Sequence, residues 1–100
     1  MKIAKEKLDA LKKKYGQIFE INVKHEKEEY NCVLRKPSRD EYFAFFSFSV
    51  TSPMKGLELI LKSCWLEGDD EIMDIDPVFF GALTQVGELV EVYEATVKKN

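Results

Sequence analysis

The chain has 100 residues, 45% of them hydrophobic and 33% charged, with a formal net charge of −3 and a pI near 5.2. That length holds a single small domain, 1–100, with one core and no room for a second. The hydrophobic share excludes disorder driven by charge, the mild acidity argues against a nucleic-acid-tracking surface, and no apolar run of about 18 residues is present to span a membrane.

Residues 2–15 read as a first helix, because Ala4, Leu8, Leu11 and Tyr15 fall on one stripe with lysines around the rest. Gly16 is its C-terminal stop. The lysine face is interrupted by Glu6 and Asp9 and has no interleaved aromatic for base stacking, so it reads as a solvated face and no nucleic-acid partner is expected. Met1 to Lys7 are too densely charged for the apolar centre of a signal peptide, and a cytoplasmic protein is expected.

From Gln17 to Lys24 the period changes to two, with Phe19, Ile21 and Val23 on one face and Glu20, Asn22 and Lys24 on the other. His25 to Glu28 is a charged turn, after which Tyr30, Cys32 and Leu34 alternate with Glu29, Asn31 and Val33. An antiparallel hairpin follows, marginal by itself and needing cover on its apolar face. His25 at the tip is read as a surface residue, and Cys32 and Cys64, far apart and without metal-ligand spacing, as reduced core thiols.

The hairpin ends in Val33-Leu34-Arg35-Lys36-Pro37-Ser38-Arg39-Asp40-Glu41-Tyr42. Pro37 stops the strand, and Ser38 and Glu41 have the spacing of a capping box, in which each side chain satisfies the other's amide. Judged on the box alone, Ser38→Ala is expected to cost more stability than Glu41→Ala.

The helix over 38–50 has too much apolar surface for one core contact. Phe48, Phe45, Tyr42, Phe46, Val50 and Phe43 span an arc of about 220°, where a surface helix needs little over 100°. Either it runs through the centre of the domain, the preferred expectation, or part of its aromatic surface awaits a partner.

Ser52 and Pro53 open the next helix as N-cap and first helical residue, with Met54, Leu57, Ile60, Leu61, Cys64 and Trp65 facing inward. Leu59 and Leu66 lie beyond the polar strip of Lys55, Glu58 and Lys62 and are candidates, with Phe43 and Phe48, for outward protein contact. Glu67 to Glu71 read as a solvated acidic turn without the ligand spacing of a calcium loop. Asp76-Pro77 starts a last helix to about Lys98, whose Phe79, Leu83, Val86, Val90, Tyr93 and Val97 step by four and three. Packing of this stripe inside the chain is preferred to a free coiled coil.

The fold class is therefore α+β: an N-terminal helix and antiparallel hairpin over 1–36, then a three-helix part over 37–100. A nucleophile mechanism has only one histidine to draw on, and no glycine-rich loop joins a strand to a helix to hold a nucleotide. No catalytic, cofactor or metal residue is assigned, and a binding role remains.

The run Leu34-Arg35-Lys36-Pro37-Ser38-Arg39-Asp40-Glu41, the Cys64-Trp65 pair after Ile60-Leu61-Lys62-Ser63, and the acidic turn behind it resemble the small tail assembly chaperones of tailed bacteriophages and prophages, over about residues 15–75. The resemblance implies a non-enzymatic protein of the host bacterial cytoplasm that binds the tape measure protein and tail tube subunits during assembly and is absent from the finished virion. It also implies that a longer product can arise by ribosomal frameshifting, for which Lys98 and Lys99 permit an adenine-rich codon run. The rival reading is a self-associating structural or regulatory module, a homo-oligomer paired through its last helix.

Overall fold

The computed structural model describes residues 2–91. Its elements in chain order are helix α1 (Lys5–Tyr15), strands β1 (Ile18–His25) and β2 (Glu28–Arg35), helices α2 (Arg39–Ser49) and α3 (Pro53–Cys64), strand β3 (Trp65–Gly68), a one-turn helix α4 (Glu71–Asp74) and helix α5 (Asp76–Glu91). The α+β class, the hairpin and the three longer C-terminal helices are as the sequence pattern predicts. Strand β3 and helix α4 are additions to it.

The sheet has the order β1-β2-β3 and both ladders are antiparallel. Asn22 faces Asn31 across the hairpin, whose turn is only Glu26 and Lys27, with Glu26 in the left-handed region at φ 58°. Period two places Ile21, Val23, Cys32 and Leu34 on one buried face. Val33, on the opposite face, is also fully buried. α1 stops at Gly16, whose amide donates to Lys12 O at 2.8 Å in a left-handed turn at φ 81°. It packs on β1 but buries none of its residues, and Lys7 reaches Glu67 of β3 at 3.1 Å.

Trp65 is not on the inner face of α3. The helix ends at Cys64, and Trp65, half-buried against the core, opens β3 opposite Leu34. Nor are residues 67–71 a solvated loop. Gly68 lies against Cys32 so closely that an added Cβ would sit 2.6 Å from the Cys32 Cα, which only glycine tolerates. Asp69 is buried, its amide donating to Asn31 O and its carboxylate accepting from Asn31 N, both at 2.9 Å. A carboxylate thus continues the ladder where the strand stops, which is why Asp69 is interior while Asp70 and Glu71 stay exposed.

The core lies between the sheet and the layer made by α3, α4 and α5, and centres on Leu34, Ile60, Leu61, Ile72, Val78, Leu83 and Val86. The last-helix stripe packs inside the chain over its described part: Leu83, Val86 and Val90 are buried and Phe79 is half-buried against the core. Tyr93, Val97 and the continuation to Lys98 lie outside the described residues. Gly81 brings α5 onto β1, because a Cβ there would come 2.9 Å from Val23 Cγ1.

The expectation of a central α2 is overturned. α2 has no buried residue and packs against α3, on the side away from the sheet. The layer nearest the sheet is already filled by Ile60, Leu61 and Cys64 of α3, so α2 is left outermost with only Tyr42 and Phe45 turned toward the core.

Candidate protein-interaction surface

The Ser38 box that starts α2 is present in full: Glu41 N donates to Ser38 Oγ at 3.2 Å and Ser38 N donates to Glu41 Oε1 at 2.8 Å. Pro37 is buried just ahead of it. The sequence pattern did not reveal the third member, Arg35. Its guanidinium grips Glu41 with both nitrogens, at 2.7 and 2.8 Å, and donates to Ser63 O at 2.9 Å near the end of α3. One side chain thus ties the end of β2, the start of α2 and the end of α3. Cys64 Sγ sits 3.8 Å from the same carboxylate.

These contacts set the electrostatics. The bidentate Arg35 contact, helped by the Ser38 amide and hydroxyl, holds the Glu41 carboxyl down at about 2 against the opposing effect of burial. Burial first, and then the Glu41 charge, pushes the Cys64 thiol up to about 11. Burial, with Asp69 nearby, pushes Cys32 to about 12. Both cysteines are free thiols inside the core, as expected of unreactive residues.

Anchored at its N-terminus, α2 is also held along its length by a close approach to α3. A Cβ on Gly56 would meet the Phe45 ring and carbonyl at 3.1 Å, so glycine lets the two helices touch there. Beyond that contact α2 is open to water: Phe43 is 65% exposed, Phe46 55%, Phe48 41% and Val50 85%. Isolated apolar residues on a surface need no explanation, but Phe43, Phe46 and Val50 form one exposed stripe on α2 and its cap, with Phe48 exposed on the opposite flank.

The four residues singled out for outward contact do not form one site. Phe48 and Leu59 come together and line, with Lys55, Glu58, Lys62 and Ser63, a shallow groove of about 360 Å³ between α2 and α3. Glu58 and Lys62 pair across one turn at 3.0 Å on its rim. Phe43 lies on the other flank of α2, on a stripe with Phe46 and Val50 at spacings of three and four. Leu66 is on β3, half-buried, and does not extend the Leu59 face because α3 has already ended. Leu59 itself is half-buried against the core and is only partly available. Ser52 occupies the N-cap position of α3 without a side-chain capping bond, so Pro53 alone marks that start. Phe46 and Val50 complete the exposed stripe, and the signal for both was present in the width of the aromatic arc.

His25, at the hairpin tip, lies 4.0 Å from the Glu26 carboxylate. What the arrangement around α2 offers chemically is apolar area with a sparse charged rim.

No protein-family model matches the chain, and no curated protein matches it. Among solved structures it is similar to the uncharacterised protein rbstp2171 from Bacillus stearothermophilus, at 21% identity with a TM-score of 0.62, over 92% of this chain and 99% of that one. At that identity the likeness shows the fold alone. Among the described residues no helix is long and apolar enough to cross a membrane.

Proposed function

We propose that this chain is a non-enzymatic assembly chaperone of the phage tail kind that its sequence resembles, acting in the bacterial cytoplasm, and that its outer α2 face binds a helical segment of a tape measure protein. The observation that carries the reading is the open α2 stripe of Phe43, Phe46 and Val50, with Phe48 on the opposite flank. Long amphipathic helices present apolar residues at intervals of three and four, and such a stripe packs against another of the same spacing. Tail tube subunits are the second partner that the resemblance implies.

The rigid Arg35–Glu41–Ser38 junction and the Gly56 contact hold α2 in place, so binding does not require the helix to be ordered first. The rival, self-association through the last helix, finds less support, since Leu83, Val86 and Val90 are occupied in the chain's own core. The test is co-expression with the tape measure protein encoded beside it. The reading expects that protein to stay soluble and to co-purify with this chain. A tape measure that precipitates equally with and without the chain contradicts it.

A further inference from the structure

The two outer strands of the sheet differ. β3 is only four residues long and ends in the glycine that lies against Cys32. β1 is eight residues long, and among the described residues it pairs only with β2. A long edge strand offers a row of backbone donors and acceptors to any other strand, and proteins cover, shorten or charge such edges. Antiparallel geometry says which groups of β1 face outward. Residues alternate between those that exchange hydrogen bonds with β2 and those whose N–H and C=O point the other way. Asn22 is of the second kind, because its amide and its carbonyl are both engaged by a side chain from outside the sheet. Glu20 and Lys24, two residues to either side, share its orientation.

That side chain is Gln85 of α5. Asn22 N donates to Gln85 Oε1 at 3.1 Å, and Gln85 Nε2 donates to Asn22 O. A carboxamide carries the same donor and acceptor as a peptide group, and here it makes the pair of bonds that a residue of a fourth strand would exchange with Asn22. The Asn22 side chain is turned instead to β2, where its nitrogen donates to Asn31 Oδ1 at 2.7 Å and to Glu29. Gln85 therefore stands at the middle of the edge, in the place of a strand.

The edge it covers is self-complementary. Two copies of β1 laid antiparallel about Asn22 bring Glu20 of each opposite Lys24 of the other, and Ile21 opposite Val23. Glu20 and Lys24 are both exposed, so the pairing sets opposite charges against each other twice on the outer face, a favourable cross-strand arrangement. A two-fold axis through Asn22 generates this register, and Asn22 is the residue that Gln85 holds.

We propose that β1 is a latent pairing edge for the β1 strand of a second copy, and that Gln85 is the contact that keeps it closed. While the carboxamide holds Asn22, the sheet ends at β1. Without it, two sheets join antiparallel about Asn22. The proposal does not rest on the tail assembly reading, since it involves neither α2 nor its partner.

The test is sedimentation of the full chain over a concentration series, beside Gln85→Ala and Gln85→Lys, with thermal midpoints and amide exchange at Asn22 measured in parallel. Both variants lose both hydrogen bonds, and alanine and lysine are good helix formers, so α5 should persist in each and the two midpoints should fall alike. Their association should differ. Gln85→Ala is expected to associate about tenfold or more tightly than the parent, with the Asn22 amide becoming protected as concentration rises, because the second copy takes over its hydrogen bond. Gln85→Lys puts a charge on the edge, a common protection of such strands, and should sediment as the parent does. Adding Lys24→Glu to Gln85→Ala sets Glu20 opposite a like charge and should abolish the gain. The proposal is overturned if Gln85→Ala sediments as the parent does, or if the gain survives Lys24→Glu. Equal association of both variants, which would make lost stability the cause, overturns it as well, and so does failure of both to fold. Association of the parent that Lys24→Glu weakens would also contradict it, because the edge would then be open with Gln85 in place.

Discussion

Replacing Glu41 by alanine removes more than half of a capping box. The side chain accepts two short charge-assisted hydrogen bonds from Arg35, at 2.7 and 2.8 Å, and one from the Ser38 amide at 2.8 Å. Hydrogen bonds to charged groups contribute about 1.5–3 kcal/mol and a cap about 1 kcal/mol, but the pair is partly open to water and its members share one geometry. A loss of about 2–3 kcal/mol results. Ser38→Ala removes one longer bond, 3.2 Å, at an exposed position, and should cost about 0.5–1 kcal/mol. The order expected from the capping box alone is thereby reversed, because the box does not include Arg35.

With a urea slope of about 1–1.5 kcal/mol/M for a chain of this size, the Glu41→Ala midpoint should fall by about 1.5–2 M and the Ser38→Ala midpoint by well under 1 M. The Glu41 carboxyl is held down at about 2 in the folded chain against an ordinary value of 4.5, so its contribution is complete above pH 4.5 and is lost as the pH falls through 2. The difference between the parent and Glu41→Gln should shrink over that interval, by roughly 1–2 kcal/mol once solvent screening is allowed for. Equal losses in Ser38→Ala and Glu41→Ala, or a parent-to-Gln difference constant between pH 5 and 2, would refute the reasoning.

Gly68→Ala forces a Cβ into the Cys32 backbone and should cost about 2 kcal/mol or more, seen as a lowered thermal midpoint; an unchanged midpoint would mean β3 does not pair so closely. Cys32 and Cys64, buried and with thiol pKa values pushed to about 12 and about 11, should react with thiol reagents at neutral pH only as fast as the chain opens. Rapid native labelling of both would contradict their burial. Leu59→Glu should destabilise the fold because Leu59 packs on the core, while Phe43→Glu leaves the stability within about 0.5 kcal/mol of the parent, and the two should separate cleanly in a denaturation series.

The hairpin was legible because period two is a strong signal when one face is buried: Ile21, Val23, Cys32 and Leu34 lie where alternation puts them. The Ser38 box and the inward packing of Leu83, Val86 and Val90 were equally readable, each from spacing alone. Strand β3 was not. Four residues, one of them glycine, carry no period, and Trp65 and Leu66 continue the apolar pattern of α3 so smoothly that only pairing with β2 separates them. Asp69 was misplaced for a related reason, since its burial depends on Asn31, thirty-eight residues away. The width of the α2 arc was legible, but the preferred placement of the helix at the centre was wrong, because period cannot say which side of a layer a helix occupies. Competition with α3 for the sheet decided that. Arg35 acquires its meaning only from neighbours distant in sequence.

The central claim is that the outer face of α2 serves binding and not folding. It is tested most directly by titrating a purified helical fragment of the tape measure protein into the parent chain and into Phe43→Glu/Phe46→Glu, with the thermal midpoint of each measured in parallel. The account predicts saturable binding by the parent, a loss of about tenfold or more in affinity for the double variant, and stabilities within about 1 kcal/mol of each other. Equal affinity in the two chains at equal stability would contradict it.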